Sequence, residues 1–138
     1  IVSVMSQYSL LDRRGEEEVY PLLDEHGISV IGRGPVASGA LADGRDDKAA
    51  KGFLNYSGGQ LTEIRNQLLP FVNEQRSMSQ TAIRYALHHP AVATVIPGAS
   101  SRTQLLENIG AADSPSFTEE EYDLLREMTN ANLYTQHR

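Results

Sequence analysis

The residues of this 138-residue chain best suited to chemistry follow an apolar run: Val92-Ala93-Thr94-Val95-Ile96-Pro97-Gly98-Ala99-Ser100-Ser101-Arg102-Thr103-Gln104-Leu105-Leu106-Glu107-Asn108. A β-branched run stopped by Pro-Gly reads as a strand closing in a turn, and Ser101 with Gln104 three residues on marks a helix start. Free N–H groups, the positive end of the helix dipole, two hydroxyls and Arg102 therefore meet just past the strand. Such donors suit a phosphate. Turns of this kind also form for structural reasons alone, so the reading rests on what other elements bring to the same place.

Composition bounds the partners. With 40% hydrophobic and 22% charged residues the chain can build the core of one modest soluble domain. A net charge of −6 argues against nucleic acid or an anionic membrane surface as a partner. The chain has no Cys, hence no disulfide frame or thiolate metal site, and no apolar segment long enough for a signal peptide or membrane span. The cytoplasm is the expected compartment. His26, His88, His89 and His137 are scattered and read as helix ends and tail, so no metal site is expected. The chain opens on Ile inside an apolar run and reads as part of something longer.

Three strands and several helices must position the chemistry. Residues 1–8 alternate apolar and small polar side chains before Asp12-Arg13-Arg14-Gly15, which predicts a strand and a turn. Glu16 to His26 predicts a helix with acids at its start, Val19, Leu22 and Leu23 inward, and Gly27 past its end. Ile28 to Gly32 is a second strand, leading into Arg33-Gly34-Pro35-Val36-Ala37-Ser38-Gly39. From Ala40 to Gln60 no period is visible, and the stretch is expected to be a mobile loop that orders over a ligand, with Arg45, Lys48 and Lys51 able to reach anionic oxygens. Helical spacing returns over 61–74 (Leu61, Ile64, Leu68, Phe71) and 79–89 (Ala82, Ile83, Ala86, Leu87). After the strand 92–96 comes the helix to about Ala112, and Thr118-Glu119-Glu120-Glu121 opens a last helix with Tyr122, Leu125 and Met128 inward. Strands separated by helices pair in parallel, so the class is α/β.

Three motifs in this order resemble the aldo-keto reductases. Gln7-Tyr8-Ser9-Leu10-Leu11-Asp12-Arg13 is similar to the sixth barrel strand of that family and its exit. His26 to Ile31 with Gly34 to Gly39 is similar to the seventh, and Val95 to Ser100 with Gln104, Leu105, Glu107 and Asn108 to the eighth strand and its following helix. The resemblance implies that residues 1–138 are a single partial domain, the carboxyl-terminal half of a TIM-type (β/α)8 barrel, with about three parallel strands and flanking helices. Ligand groups in such barrels lie at strand carboxyl ends, where all three motifs fall.

The resemblance further implies an NADP(H) site. Gly34, Pro35, Val36, Ala37, Ser38 and Gly39 match the segment that follows the pyrophosphate. Gly98, Ser100, Gln104, Glu107 and Asn108 match the end holding adenosine and its 2′-phosphate, and Arg102 adds a cation there. Arg33 stands where the family places an aromatic ring on the nicotinamide; a guanidinium plane can also stack and keeps its charge. Met5 stands where a Gln is usual. Each residue also has a bland reading, with the glycines as turn glycines and Arg33 paired to Asp12 or Glu25.

The family's catalytic Asp, Tyr, Lys and His belong to the first half of the barrel, and no residue here is expected to catalyse. Three functions follow: the NADP(H)-binding half of a reductase acting on a small-molecule carbonyl substrate; a non-catalytic nucleotide-binding regulatory module; or a small α/β interaction domain without nucleotide. Half a barrel leaves strand edges and an apolar face, with Val2, Val4, Ile31 and Val95 expected to line it. The fragment is therefore expected to self-associate.

Overall fold

Apolar and β-branched segments pair into one parallel sheet, β1 (Ser3–Gln7), β2 (Ser29–Arg33) and β3 (Val92–Ile96), in the order β1-β2-β3. The structure, a computed structural model, describes residues 1–135, so His137 lies outside the described residues. Parallel pairing requires long crossovers. One crossover carries α1 (Val19–Glu25); the next carries α2 (Asp46–Ala49), α3 (Gly58–Leu68) and α4 (Met78–His88). After β3 come α5 (Arg102–Gly110) and α6 (Glu119–Glu127). This is the expected α/β arrangement, and among the described residues no helix is long and apolar enough to cross a membrane.

Local chemistry explains most helix boundaries. Ser57 with Gln60, Ser77 with Gln80, and Thr118 with Glu121 each form a reciprocal capping box, so α3, α4 and α6 start where a hydroxyl meets the third helical N–H. The helix expected over 61–74 ends at Leu68 and tightens into a 3-10 turn, Leu69–Phe71. Pro70 is the cause, since it has no N–H to continue the ladder. Leu61, Ile64, Leu68 and Phe71 are buried as their spacing requires.

The first helix departs from the expectation. A 3-10 turn at Arg14–Glu16 precedes α1; Val19 and Leu22 are exposed, and Tyr20 is the buried residue. The acid expected to offset a dipole is instead inside: Arg13 Nη2 reaches Glu16 at 2.8 Å, the Tyr8 hydroxyl donates to it at 2.7 Å, and Arg126 lies at 3.3 Å. Burial pushes the Glu16 pKa up, but hydrogen bonds from Arg13 and Tyr8 outweigh it and hold the carboxyl below its usual range. The His89 ring packs against Tyr8 and Tyr20 at 5.5 and 5.4 Å, where burial lowers its pKa.

Register decides which sheet face is which. Val30 lies opposite Val4 and Val92, and Gly32 opposite Val95. A Cβ added at Gly32 would meet Val95 at 3.2 Å and Val92 at 3.7 Å, so these residues share the face under the helices. Met5, Gln7, Ile31, Arg33, Thr94 and Ile96 occupy the other face. Of the residues expected there, only Ile31 is on it; Val4 and Val95 point to the helices and Val2 precedes the strand. Parallel strands are apolar on both sides, so residue type does not name the inner face.

The stretch 40–60 is packed rather than irregular. Leu41, Ala49 and Tyr56 are buried, and the buried Arg65 donates to the carbonyls of Ala40 and Ala42 at 2.8 and 3.0 Å. Order here comes from a partner about 25 residues away, which no local period reveals.

Both outer strands keep one edge without a partner strand among the described residues, and the α5 side chains Leu105, Leu106 and Ile109 are exposed. Burial of apolar surface is favourable by about 25 cal/mol per Å². The isolated chain is therefore expected to self-associate, read by sedimentation at low micromolar concentration; a monodisperse monomer that unfolds cooperatively would contradict this.

Candidate functional site

The turn that leaves β2 is built from left-handed backbone. Gly34, Ala37, Ser38 and Gly39 have φ of 69°, 49°, 56° and 92°. Ala37 and Ser38 lack glycine's freedom there, and such strain, worth about 1–3 kcal/mol per residue, concentrates where backbone must present itself to a ligand. The turn closes through the Ala37 N–H donating to the Gly34 carbonyl and the Gly39 N–H to that of Val36, both at 2.9 Å. Pro35 and Ala37 are buried behind it and set its shape.

The second wall is the exit of β3. Ser101 caps α5, accepting from the Gln104 N–H at 3.2 Å. The Gln104 side chain does not complete a reciprocal box; its Oε1 accepts from the Ser100 N–H at 2.7 Å and the Ser100 hydroxyl at 2.9 Å. Asn108 Nδ2 donates to the Gly98 carbonyl at 3.1 Å, folding the turn back onto its helix. Ser77 of the α4 cap donates to the Glu107 carboxylate, and Gln80 Nε2 to the Glu107 carbonyl at 3.1 Å. Four of the expected contact residues thus also position one another.

Because β2 and β3 are neighbours, the two turns face one another across a cleft of about 540 Å³. Gly34, Val36, Ser38 and Gly39 line it from one side; Gly98, Ser100, Gln104, Glu107 and Asn108 line it from the other. Arg33, Pro35, Ala37 and Arg102 do not line it. Arg33 is exposed at the exit of β2, and among the described residues it makes no ion pair; Asp12 is taken by Arg14, with Nη2 at 2.7 Å. Arg102 is exposed on the first turn of α5, between lining residues Ser100 and Gln104.

Arg45 and Lys48 complete the lining together with Ala42, Ser79 and Ala99. Sequence reasoning named the two cations but missed Ser79, which reaches the cleft only because α4 starts beside it. The cleft therefore combines left-handed backbone, hydroxyls and two cations. That set suits an anionic ligand better than a metal ion. Among the described residues no group of three or more His, Cys, Asp or Glu side chains could hold a metal.

A parallel strand triplet with a cleft at its carboxyl edge is the class of segment found in α/β barrels. The sequence matches the aldo/keto reductase family over residues 1–130, and the chain belongs to that family. It is 46% identical to the uncharacterized oxidoreductase YqkF of Bacillus subtilis, in an alignment covering 100% of this chain and 46% of that protein. It superposes on the holo form of the aldo-keto reductase AKR11C1 from Bacillus halodurans with a TM-score of 0.88 and 41% identity, covering 100% of this chain and 44% of that one. A rice protein named as a probable voltage-gated potassium channel subunit beta is 32% identical over 78% of this chain and 37% of its own length. The chain thus spans less than half the length of these relatives, and it corresponds to a fragment of their barrel.

Gly98, which lines the cleft, and Gly52, outside it, differ in what they tolerate. A Cβ at Gly98 meets nothing within 4 Å, whereas at Gly52, with φ of 77°, it would stand 2.7 Å from the Tyr56 carbonyl oxygen. Gly98→Ala is expected to change unfolding free energy by less than about 0.5 kcal/mol and Gly52→Ala to cost about 1–3 kcal/mol, measured by urea denaturation. Equal losses would contradict the backbone described here.

Proposed function

We propose that this chain is the NADP(H)-holding part of an aldo-keto reductase that reduces a small carbonyl compound in the cytoplasm. The observation that carries the reading is the shared cleft, in which the β2 exit turn and the start of α5 meet with Arg45 and Lys48 beside them. Gly34 to Gly39 would follow the pyrophosphate, where glycine's missing side chain and the left-handed backbone of Gly34, Ala37, Ser38 and Gly39 let main chain come close. Gly98, Ser100, Gln104, Glu107 and Asn108 would hold the adenosine end. Arg102 would meet the 2′-phosphate from the first turn of α5, where the helix dipole favours an anion.

Arg33 stands on the sheet face opposite the helices, beside Gln7 and Ile96 in register, and would lie against the nicotinamide. A nucleotide held by these residues would supply a hydride for a carbonyl carbon. This chain binds and orients; the acid that protonates the carbonyl oxygen would come from the remainder of the barrel, as would the Lys, His and Asp that assist it. A second reading, a nucleotide-binding module that regulates a partner without turnover, is favoured by the likeness to the rice channel-subunit protein.

The test compares cofactors in the intact barrel protein. A charge-assisted hydrogen bond contributes about 1.5–3 kcal/mol, so Arg102→Glu is expected to weaken NADPH by at least about tenfold and NADH far less, by fluorescence titration. Equal losses would overturn the 2′-phosphate assignment. Tight NADPH binding without turnover of any aldehyde would favour the regulatory reading.

A further inference from the structure

The strap after the β2 exit turn and the start of α2 carry Arg45 and Lys48 to the cleft, where Arg45 also pairs with Asp47 at 3.0 Å; the Ala42 N–H donates to the Gly39 carbonyl at 3.1 Å and Leu41 is buried. Gly44 is left-handed with φ of 61°, and Asp43 and Gly44 are exposed. Two side chains add polar anchors. Arg65 of α3 binds the carbonyls of Ala40 and Ala42 and reaches Asp46 at 2.9 Å. The second anchor is Asp43, whose carboxylate sits on the amino end of α4. It accepts from the Met78 N–H at 3.1 Å, the Ser79 N–H at 2.9 Å and the Ser79 hydroxyl at 2.7 Å, while the Asp43 N–H donates back to that hydroxyl at 3.1 Å.

The need of α4 for a cap does not by itself explain this. Ser77 already caps the helix, accepting from Gln80 at 3.2 Å in a reciprocal box. Asp43 adds a carboxylate from 35 residues away to the two first-turn N–H groups that Ser77 leaves open. The bonds are strong enough to keep the carboxyl below its usual pKa although burial opposes them. Ser79 itself lines the cleft, so the anchor stands at the wall it would stabilise.

We propose that Asp43 is a positioning residue for the nucleotide: seated on the start of α4, it fixes strap 42–48 so that Arg45 and Lys48 stay against a bound diphosphate. The inference rests on the nucleotide reading above. Nucleotide release then requires the strap to leave α4, and the Asp43 contact contributes to how often it does.

The experiment uses the intact barrel protein and two probes, NADPH and adenosine 2′-monophosphate, which lacks the diphosphate. Asp43→Ala is expected to speed NADPH release about tenfold in stopped-flow fluorescence while changing the affinity for adenosine 2′-monophosphate less than about twofold. Thr118→Ala removes the cap of α6 outside the cleft, a comparable loss of helix stability, and is expected to change neither value. Unchanged NADPH release in Asp43→Ala, equal weakening of both probes, or the same acceleration in Thr118→Ala would overturn the positioning role. A wild-type protein that binds no NADPH would instead remove the nucleotide reading itself.

Discussion

Parallel pairing of β2 with β3 is the constraint on which the site depends. Arg33 lies opposite Ile96, so the next residues of both strands, Gly34 and Pro97, begin turns side by side on one edge of the sheet. An antiparallel pair would send the two exits to opposite edges and leave no cleft between them. The crossover that parallel pairing demands is long enough to hold three helices, and its first part supplies the strap with Arg45 and Lys48. Strand order therefore fixes which chemical groups meet before any side chain makes contact.

Long connections create a second problem, because each carries carbonyl groups that must find donors. Here buried or nearly buried arginines answer it. Arg65 serves Ala40 and Ala42; Arg76 serves Phe71 and Pro115 while lying 4.1 Å over the Phe117 ring; Arg13 serves Arg126 and Thr129. A guanidinium offers five donors in a rigid fork, so one side chain can fix two loop segments at once. The same arrangement makes the loops sensitive to single changes, since each lost donor leaves a desolvated carbonyl costing about 1–3 kcal/mol.

The parts legible in the sequence are those written in local chemistry. Val92 to Ile96 ends at Pro97-Gly98 and is a strand with those bounds, and Ser101 and Thr118 cap helices because their hydroxyls need only a neighbour three residues on. The glycines of 34–39 announce a special backbone without saying what it faces. What remained hidden depends on distant partners. Glu16 reads as a surface acid until Arg13, Tyr8 and Arg126 surround it, and the stretch after Ala40 reads as a mobile loop until Arg65 and the start of α4 bind it. The inner face of the sheet was hidden for another reason: Val4 and Ile31 are equally apolar, and only register separates them.

The central claim is that the two strand exits form one nucleotide site. Amide hydrogen exchange of the intact barrel protein, with and without NADPH, measures this most directly, because it reports each backbone segment separately. The account predicts slowed exchange at 34–39 and 98–108 together, over the same range of NADPH concentration. Protection of one segment without the other, or protection confined to residues outside both, would contradict it.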